Sequence, residues 1–224
     1  MAVAYTSDTD KTPATGSSFS YTSFTVSGSN PVIIVLIGLD STTATISSVA
    51  VSAGLTAGTP VEVITQRVGR AYTSLWAIPA PSGTGTITVT LSASVPWQSN
   101  AILFSGADQT TPCPTGSGNA EVGGTIDGDT LGVTLANLTA NDAAVGIGAN
   151  AGFGDNPLHD QTRTFAGNTT NVNASTGYHL ATGVISCSWG AFPVGNAAYV
   201  GARIVAAAAA PSTPGVGYML NYHR

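Results

Sequence analysis

Apolar and polar residues alternate along much of this chain, and the alternation marks short β-strands. In residues 86–91, Ile87, Val89 and Leu91 alternate strictly with threonine, a period of two that is typical of a strand with one buried face. Residues 32–39 are apolar throughout, which predicts a central strand covered on both faces. No stretch has a sustained apolar period of 3.6 residues. The pattern therefore predicts an all-β chain.

The predicted strands are short and are separated by turns rich in Gly, Pro, Asn and Ser, as in a β-sandwich. Frequent glycine, low charge and unequal strand lengths favour a jelly-roll-type antiparallel β-sandwich over an up-and-down barrel. We place the β-sandwich domain at residues 21–205 and extended arms at residues 1–20 and 206–224. The alternative interpretation is that these two terminal segments are frayed ends. The predicted strands span residues 21–26, 32–39, 45–51, 61–68, 72–78, 86–91, 101–104, 120–122, 131–135, 143–149, 178–180, 184–189 and 197–205.

Ionisable side chains are scarce. Only 8% of the 224 residues are charged, against roughly a quarter in an average soluble domain, so Thr, Ser, Asn and Gly must supply the polar surface. The net charge is −5, with six Lys and Arg. Nucleic-acid binding requires clustered cations on one face, so we expect no nucleic-acid partner. The longest apolar run, residues 32–39, is too short to cross a bilayer, and we expect no membrane partner.

The start of the chain and the cysteines bear on the compartment. Residues 1–20 are polar and lack a cationic segment followed by an apolar core, so no secretory signal is predicted. A start without a signal peptide, combined with a low-charge surface like that of extracellular proteins, fits a phage structural protein. Such a protein is made in the host cytoplasm and is exposed to the environment later. Cys113 and Cys187 allow one disulfide at most, and a reducing cytosol favours two free thiols.

Residues 31–112 contain, in order, the pieces PVIIVLIGLDS (31–41), ISSVAVSAG (46–54), YTSLWAIPAPSGTGTITVTLSAS (72–94) and AILFSGADQTTP (101–112). This order of elements resembles a β-sandwich module of bacterial surface proteins and phage-encoded proteins. The resemblance implies a jelly-roll-like unit with an adhesive or structural role and no catalytic motif. In secreted proteins this module follows a signal peptide or lies within a longer chain. Here it follows a plain Met1, which points to a virion component such as a capsid decoration (cement) protein.

The sequence contains few residues for catalysis or metal binding. One mixed cluster holds Asp155, His159, Asp160 and Arg163. We expect a solvated loop with local Asx turns there, because the other histidines are only His179 and His223.

Two aspartate pairs and one serine complete the candidates for chemistry. Asp127 with Asp129, and Asp8 with Asp10, could offer oxygens to Ca²⁺, but calcium needs six to eight ligands and no DxDxDG loop is present. Ser105 lacks the GxSxG elbow of a nucleophile. We therefore expect no enzyme activity, no cofactor and no metal.

The aromatic residues are the candidate contacts. Trp76 lies in an alternating strand, which indicates core packing, whereas Trp97 follows Pro96 in a predicted loop and is expected to be exposed to a ligand or a subunit. In the tail, Tyr218 and Tyr222 alternate with Val216 and Leu220. This alternation predicts a closing strand or an arm docked on a neighbour.

The hypothesis that follows is a non-enzymatic virion protein. It would be a phage head decoration protein that binds the major capsid protein or other virion subunits, acting as a homo-oligomer, with a trimer as the working guess. The alternative is an extracellular carbohydrate-binding or receptor-binding module of a phage fibre or bacterial surface protein. That alternative would use Trp97 and the loop at residues 150–173.

Overall fold

The computed structural model describes residues 1–114, 118–123, 130–151, 158–159, 162–168, 172–180, 184–188 and 196–209. Within them the chain forms β-strands and no helix, and every strand pairing is antiparallel. The prediction of an all-β sandwich is confirmed, while the connections specific to a jelly roll stay a prediction. The strands are β1 (Ala4–Thr25), β2 (Val32–Asp40), β3 (Ile46–Ser52), β4 (Leu55–Thr56), β5 (Val61–Val68), β6 (Ala71–Pro79), β7 (Ser82–Ser105), β8 (Gly118–Gly123), β9 (Thr130–Thr134), β10 (Ala143–Ala151), β11 (Leu158–His159), β12 (Thr162–Asn168), β13 (Val172–Leu180), β14 (Val184–Ser188) and β15 (Ala197–Ile204).

Strand β2 lies at the centre of the main sheet, whose order is β1-β7-β2-β6-β5. All of its residues are buried, because both of its faces are covered, as the apolar run predicts. Ile33, Val35 and Ile37 point into one hydrophobic core. Val32, Ile34 and Leu36 point into a second core on the opposite face.

The first core forms because the long strands β1 and β7 bend together. Gly16 pairs with Val95, and the next pair is Ser18 with Thr90. Between these two pairs β7 advances by five residues and β1 by only two, and a bulge of this kind bends a strand pair. Beyond the bend, β7 pairs with β3 instead of β2. This part of β7, with β3 and the end of β1, forms an outer layer over the main sheet. Its inward side chains share one core with β2; they include Phe19, Tyr21, Val49, Ile87 and Val89.

The second core lies between the main sheet and a sheet of order β12-β13-β10-β15-β8. Val145, Ile147 and Val200 from this sheet pack against the even-numbered residues of β2. The two sheets approach closely at Gly38, where an added Cβ would lie 3.1 Å from the Cβ of Ala149. A small third sheet, β11-β14-β9, packs on the far side through a third apolar cluster of Leu131, Val133, Ala144, Ile185 and Tyr199.

The structure differs from the predicted N-terminal arm at residues 1–20. Residues 4–20 belong to β1 and pair with β7 over most of their length. The amide of Val3 also donates to the Asn141 carbonyl at 2.7 Å. The segment lacks a strong apolar pattern because its attachment comes mainly from backbone pairing at the edge of the sheet, which side-chain periodicity does not report.

Candidate interaction surface

The outer layer presents a surface of small hydroxyl side chains, which we call the hydroxyl face. Because side chains alternate along a strand, the inward Phe19, Ile87 and Val89 leave their neighbours pointing outward. Every outward position except Ala50 carries a hydroxyl group. The face consists of Ser18, Ser20 and Thr25 in β1, Ser48, Ala50 and Ser52 in β3, Thr56 in β4, and Ser82, Thr84, Thr86, Thr88 and Thr90 in β7.

Hydrogen bonds between the hydroxyl groups join the strands of this face. The Thr56 Oγ1 and Ser82 Oγ atoms lie 2.7 Å apart, and the Thr84 hydroxyl donates to the Thr25 Oγ1 at 3.1 Å. The Ser20 Oγ and Thr88 Oγ1 atoms lie 3.0 Å apart. Cross-strand pairs of this kind stabilise a sheet, so they hold the hydroxyl groups in a regular array.

No member of the hydroxyl face is ionisable, so the face can bind only through hydrogen bonds and van der Waals contacts. Its footprint follows from strand geometry. Three strands about 4.8 Å apart, over about nine residues of β7, cover roughly 400 Å². A specific interface buries roughly 800 Å² on each partner, so one copy of the face covers about half of what stable binding needs.

Arg67 and Arg70 are engaged by protein groups away from the hydroxyl face. Arg70 Nη2 lies 2.5 Å from Asp40 Oδ2. Burial raises the pKa of Asp40, although Arg70 acts against this effect. Arg67 donates to the carbonyl oxygens of Ser41 and Ala44, and its guanidinium lies 4.5 Å from the Tyr72 ring centroid. This arrangement fixes backbone at one end of the sandwich.

A second ion pair connects the start of β10 to the end of β15. Arg203 Nε donates to Asp142 Oδ2 at 3.0 Å, and the Ala206 amide donates to Asp142 Oδ1 at 2.8 Å. The Thr139 amide and hydroxyl donate to the same carboxylate. Burial acts to raise the pKa of Asp142, but these hydrogen bonds and Arg203 hold it below its ordinary value. The pair is a structural anchor.

The candidate calcium ligand Asp8 is occupied by protein donors. The Tyr5 hydroxyl donates to its Oδ1, and Asn100 Nδ2 lies 3.3 Å from its Oδ2. The same Asn100 nitrogen contacts the hydroxyl oxygens of Thr164 and Thr176 at 3.1 and 3.0 Å. This network connects β1 and β7 to β12 and β13. Among the described residues no group of three or more His, Cys, Asp and Glu is placed to hold a metal ion.

The prediction that Trp97 is exposed in a loop is wrong. Trp97 lies within β7, is 6% exposed, and stacks on Phe19 with ring centroids 4.0 Å apart. The register of β7 with Ala14 in β1 turns the indole toward the first core. One of its faces is therefore covered by Phe19, which removes the open ring that a sugar would stack on.

Trp76 packs against the first core, as predicted, and remains partly exposed. Its Nε1 donates to Ser74 Oγ at 3.0 Å. Cys113 is a free thiol, as predicted. Ser105 is the last residue of β7 and pairs with Ala4.

Several residues that the sequence analysis singled out have side chains outside the part of the chain that the structure describes. His159, Arg163 and Cys187 belong to β11, β12 and β14, but their side chains are not described. Residues outside the described ranges are Asp127, Asp129, Asp155, Asp160, Trp189, Tyr218, Tyr222 and His223.

Sequence reasoning found the alternating threonines of β7 but missed the hydroxyl face as a surface. The signal in β7 is TITVT, and the equivalent signals in β1 and β3 are SFS and SVAVS. Each is weak alone, because serine and threonine occur throughout the chain. Among the described residues there is no helix with the length and hydropathy to cross a membrane. No protein-family model matches the chain, and no curated protein or solved structure matches it.

Proposed function

We propose that this chain is a non-enzymatic virion protein, a phage head decoration protein that attaches to the capsid surface through its hydroxyl face. The observation that carries the proposal is a regular, hydrogen-bonded layer of hydroxyl groups without one ionisable member. Such a face suits adhesion, since it offers no acid, base or nucleophile held for a reaction.

The mechanism is the sum of many small contacts. Threonine methyl groups exclude water while hydroxyl groups exchange hydrogen bonds with the partner, and each net contribution is small, about 1 kcal/mol. A footprint of roughly half a standard interface makes one copy a weak binder. Several copies joined in an oligomer bind through avidity, which supports a homo-oligomeric arrangement on the capsid; three copies is the number that we propose.

Low charge leads to a distinctive salt response. Ion pairs between exposed groups weaken as ionic strength rises, because the Debye length falls from about 10 Å at 0.1 M to about 3 Å at 1 M. Attachment through the hydroxyl face has no such pairs to lose. We therefore expect the protein to stay on its particle when the salt concentration rises from roughly 0.1 M to 1 M.

The test uses phage particles produced by the host that carries the gene. Antibody against the purified chain, detected with gold beads in the electron microscope, should label heads before and after a wash at high salt. Labelling of tail fibres would instead support the receptor-binding alternative. Absence of label, or release by salt alone, would refute the decoration role.

A matched pair of variants tests the face itself. Thr88→Arg places an unpaired cation at its centre, and an unpaired charge buried in an interface is costly, so rebinding to stripped particles should weaken about tenfold or more. The control, Thr42→Arg, adds the same charge at an exposed position outside the face, and its rebinding should be unchanged. Equal binding by the two variants would exclude the hydroxyl face as the attachment surface.

A further inference from the structure

Strand β3 forms an open edge of the outer layer. Among the described strands it pairs only with β7, so the backbone amide and carbonyl groups on its other side have no strand to bond. Its sequence, ISSVAVS, has no charged residue and no proline. The register shift in its pairing with β7 lies between Ile46 and Ser48, so the stretch from Ser48 to Ser52 is regular. That stretch can accept another strand.

Two other edges carry features that hinder strand addition. Strand β5, at the edge of the main sheet, contains the charged residues Glu62 and Arg67. The end of β1, at the opposite edge of the outer layer, has an irregular register between Tyr21 and Phe24. Edge charges and bulges are the usual means by which proteins prevent unwanted pairing. The regular part of β3 has neither, which indicates that its edge is used for contact.

A second copy of β3 fits this edge when a two-fold axis passes through Ala50. Residues directly opposite each other in an antiparallel pair lie on the same side of the sheet. On the outer side, this axis places Ser48 opposite Ser52 of the second copy, hydroxyl against hydroxyl. On the inner side, it places Val49 opposite Val51 of the second copy. The strand is therefore complementary to itself on both sides.

The pattern of side chains favours this register over its neighbours. Ala50 is the one outward position of the hydroxyl face without a hydroxyl group, and its small side chain fits the axis, where identical residues meet. Val51 is only partly buried in the single copy, and the pairing covers it with a valine. An axis through Val49 would instead place Val51 opposite Ser47. A slip by one residue would turn one of the two hydroxyl faces to the other side of the sheet.

The pairing also supplies the area that a single hydroxyl face lacks. One copy of the face covers roughly 400 Å², so two copies joined at β3 form one continuous face of roughly 800 Å², the area that a specific interface buries on each partner. This consequence rests on the proposed function, whereas the strand pairing itself does not. In a trimeric arrangement, a two-fold contact of this kind joins one trimer to the next.

We propose that the edge of β3 is a contact between two copies of this chain, paired antiparallel about a two-fold axis at Ala50. Backbone hydrogen bonds between the two strands provide the attraction, as in other cases of strand addition. The Ser48–Ser52 and Val49–Val51 pairs between the copies fix the register.

Disulfide trapping tests the register with the purified full-length chain. Ser48→Cys and Ser52→Cys proteins are mixed and mildly oxidised, and peptide mapping identifies the joined positions. Directly opposite residues have Cα atoms about 4.5–5.5 Å apart, which a disulfide can bridge. Two copies of the same position lie four residues apart along the strands, about 14 Å, which it cannot. The mixed disulfide should therefore form at least about tenfold faster than either disulfide between identical variants. Equal rates, or no mixed disulfide, would overturn the proposal.

A charge on the axis gives a second measurement. Ala50→Lys, added to both cysteine variants, places two like charges opposite each other and should slow the mixed crosslink about tenfold or more. Thr42→Lys adds the same charge at an exposed position outside β3 and should leave the rate unchanged. Ala50 is exposed, and thermal melts check that the variants are folded. An unchanged rate in the folded Ala50→Lys protein would overturn the proposal.

These measurements contain no phage particle, so their failure is distinguishable from failure of the proposed function. Absence of the mixed disulfide would exclude the β3 contact and leave attachment through the hydroxyl face to the labelling and rebinding experiments. Failure of those experiments would likewise leave the trapped pair of β3 strands standing.

Discussion

Replacement of Asp142 by asparagine tests whether one buried carboxylate connects the start of β10 to the end of β15. Asp142 is 2% exposed and accepts hydrogen bonds from Arg203 Nε, the Ala206 amide, and the amide and hydroxyl of Thr139, at 2.8 to 3.0 Å. Asp142→Asn keeps the shape of the side chain but removes its charge and turns one acceptor into a donor. Arg203, largely buried, is then left without a counter-ion.

The magnitude follows from these contacts. Removal of one partner of a buried ion pair costs about 3–5 kcal/mol, and the remaining amide oxygen of asparagine still accepts some of the hydrogen bonds, so we expect about 3 kcal/mol. For a chain of this size each kcal/mol lowers Tm by about 2–4 °C, which predicts a fall of about 6–12 °C. Urea denaturation and thermal unfolding at neutral pH measure both quantities.

The dependence on pH identifies the cause. The pKa of Asp142 is lower in the folded protein than in the unfolded chain, so its contribution is fully present above the unfolded value of about 3.9 and disappears as the pH falls through the folded value. The difference in stability between the natural protein and Asp142→Asn should therefore shrink at acidic pH.

Asp108→Asn is the matched control for this prediction. Asp108 only accepts the amides of Thr110 and Thr111 in an Asx turn, which asparagine also forms, so its effect should stay below about 0.5 kcal/mol. A loss below about 1 kcal/mol for Asp142→Asn, or a loss independent of pH, would refute the reasoning.

Two further predictions concern buried side chains of the main sheet. Burial raises the pKa of Asp40 despite Arg70, so the folded state binds that proton more tightly. The free energy of unfolding should therefore gain a component as the pH falls through the folded pKa of Asp40 toward the unfolded value of about 3.9. Asp40→Asn should remove this component, and an equal change of the free energy of unfolding with pH in the two proteins, measured by urea denaturation, would contradict the assignment. Trp97→Ala removes a buried ring stacked on Phe19 and should lower stability by about 3–5 kcal/mol, whereas an unchanged Tm would show that the indole is not packed in the first core.

The sequence alone predicts the class of the fold and the positions of most central strands. The period of two at Ile87, Val89 and Leu91, and the unbroken apolar run of β2, depend only on which faces of a strand are buried. For β2 even the burial on both faces is predicted and observed. Local patterns suffice there, because the hydrophobic effect acts on each side chain according to the face it occupies.

The tertiary structure alone decides how those strands combine. Residues 4–20 join β7 through backbone pairing, and Trp97 turns inward because of its register with Ala14; neither outcome leaves a periodic signal in its own segment. The hydroxyl face assembles strands that are far apart in sequence, and Asp142 finds two of its donors 61 and 64 residues away. A strand's side-chain pattern records which face is buried, but its backbone can pair with any strand of suitable register, so partners and surfaces depend on the whole chain.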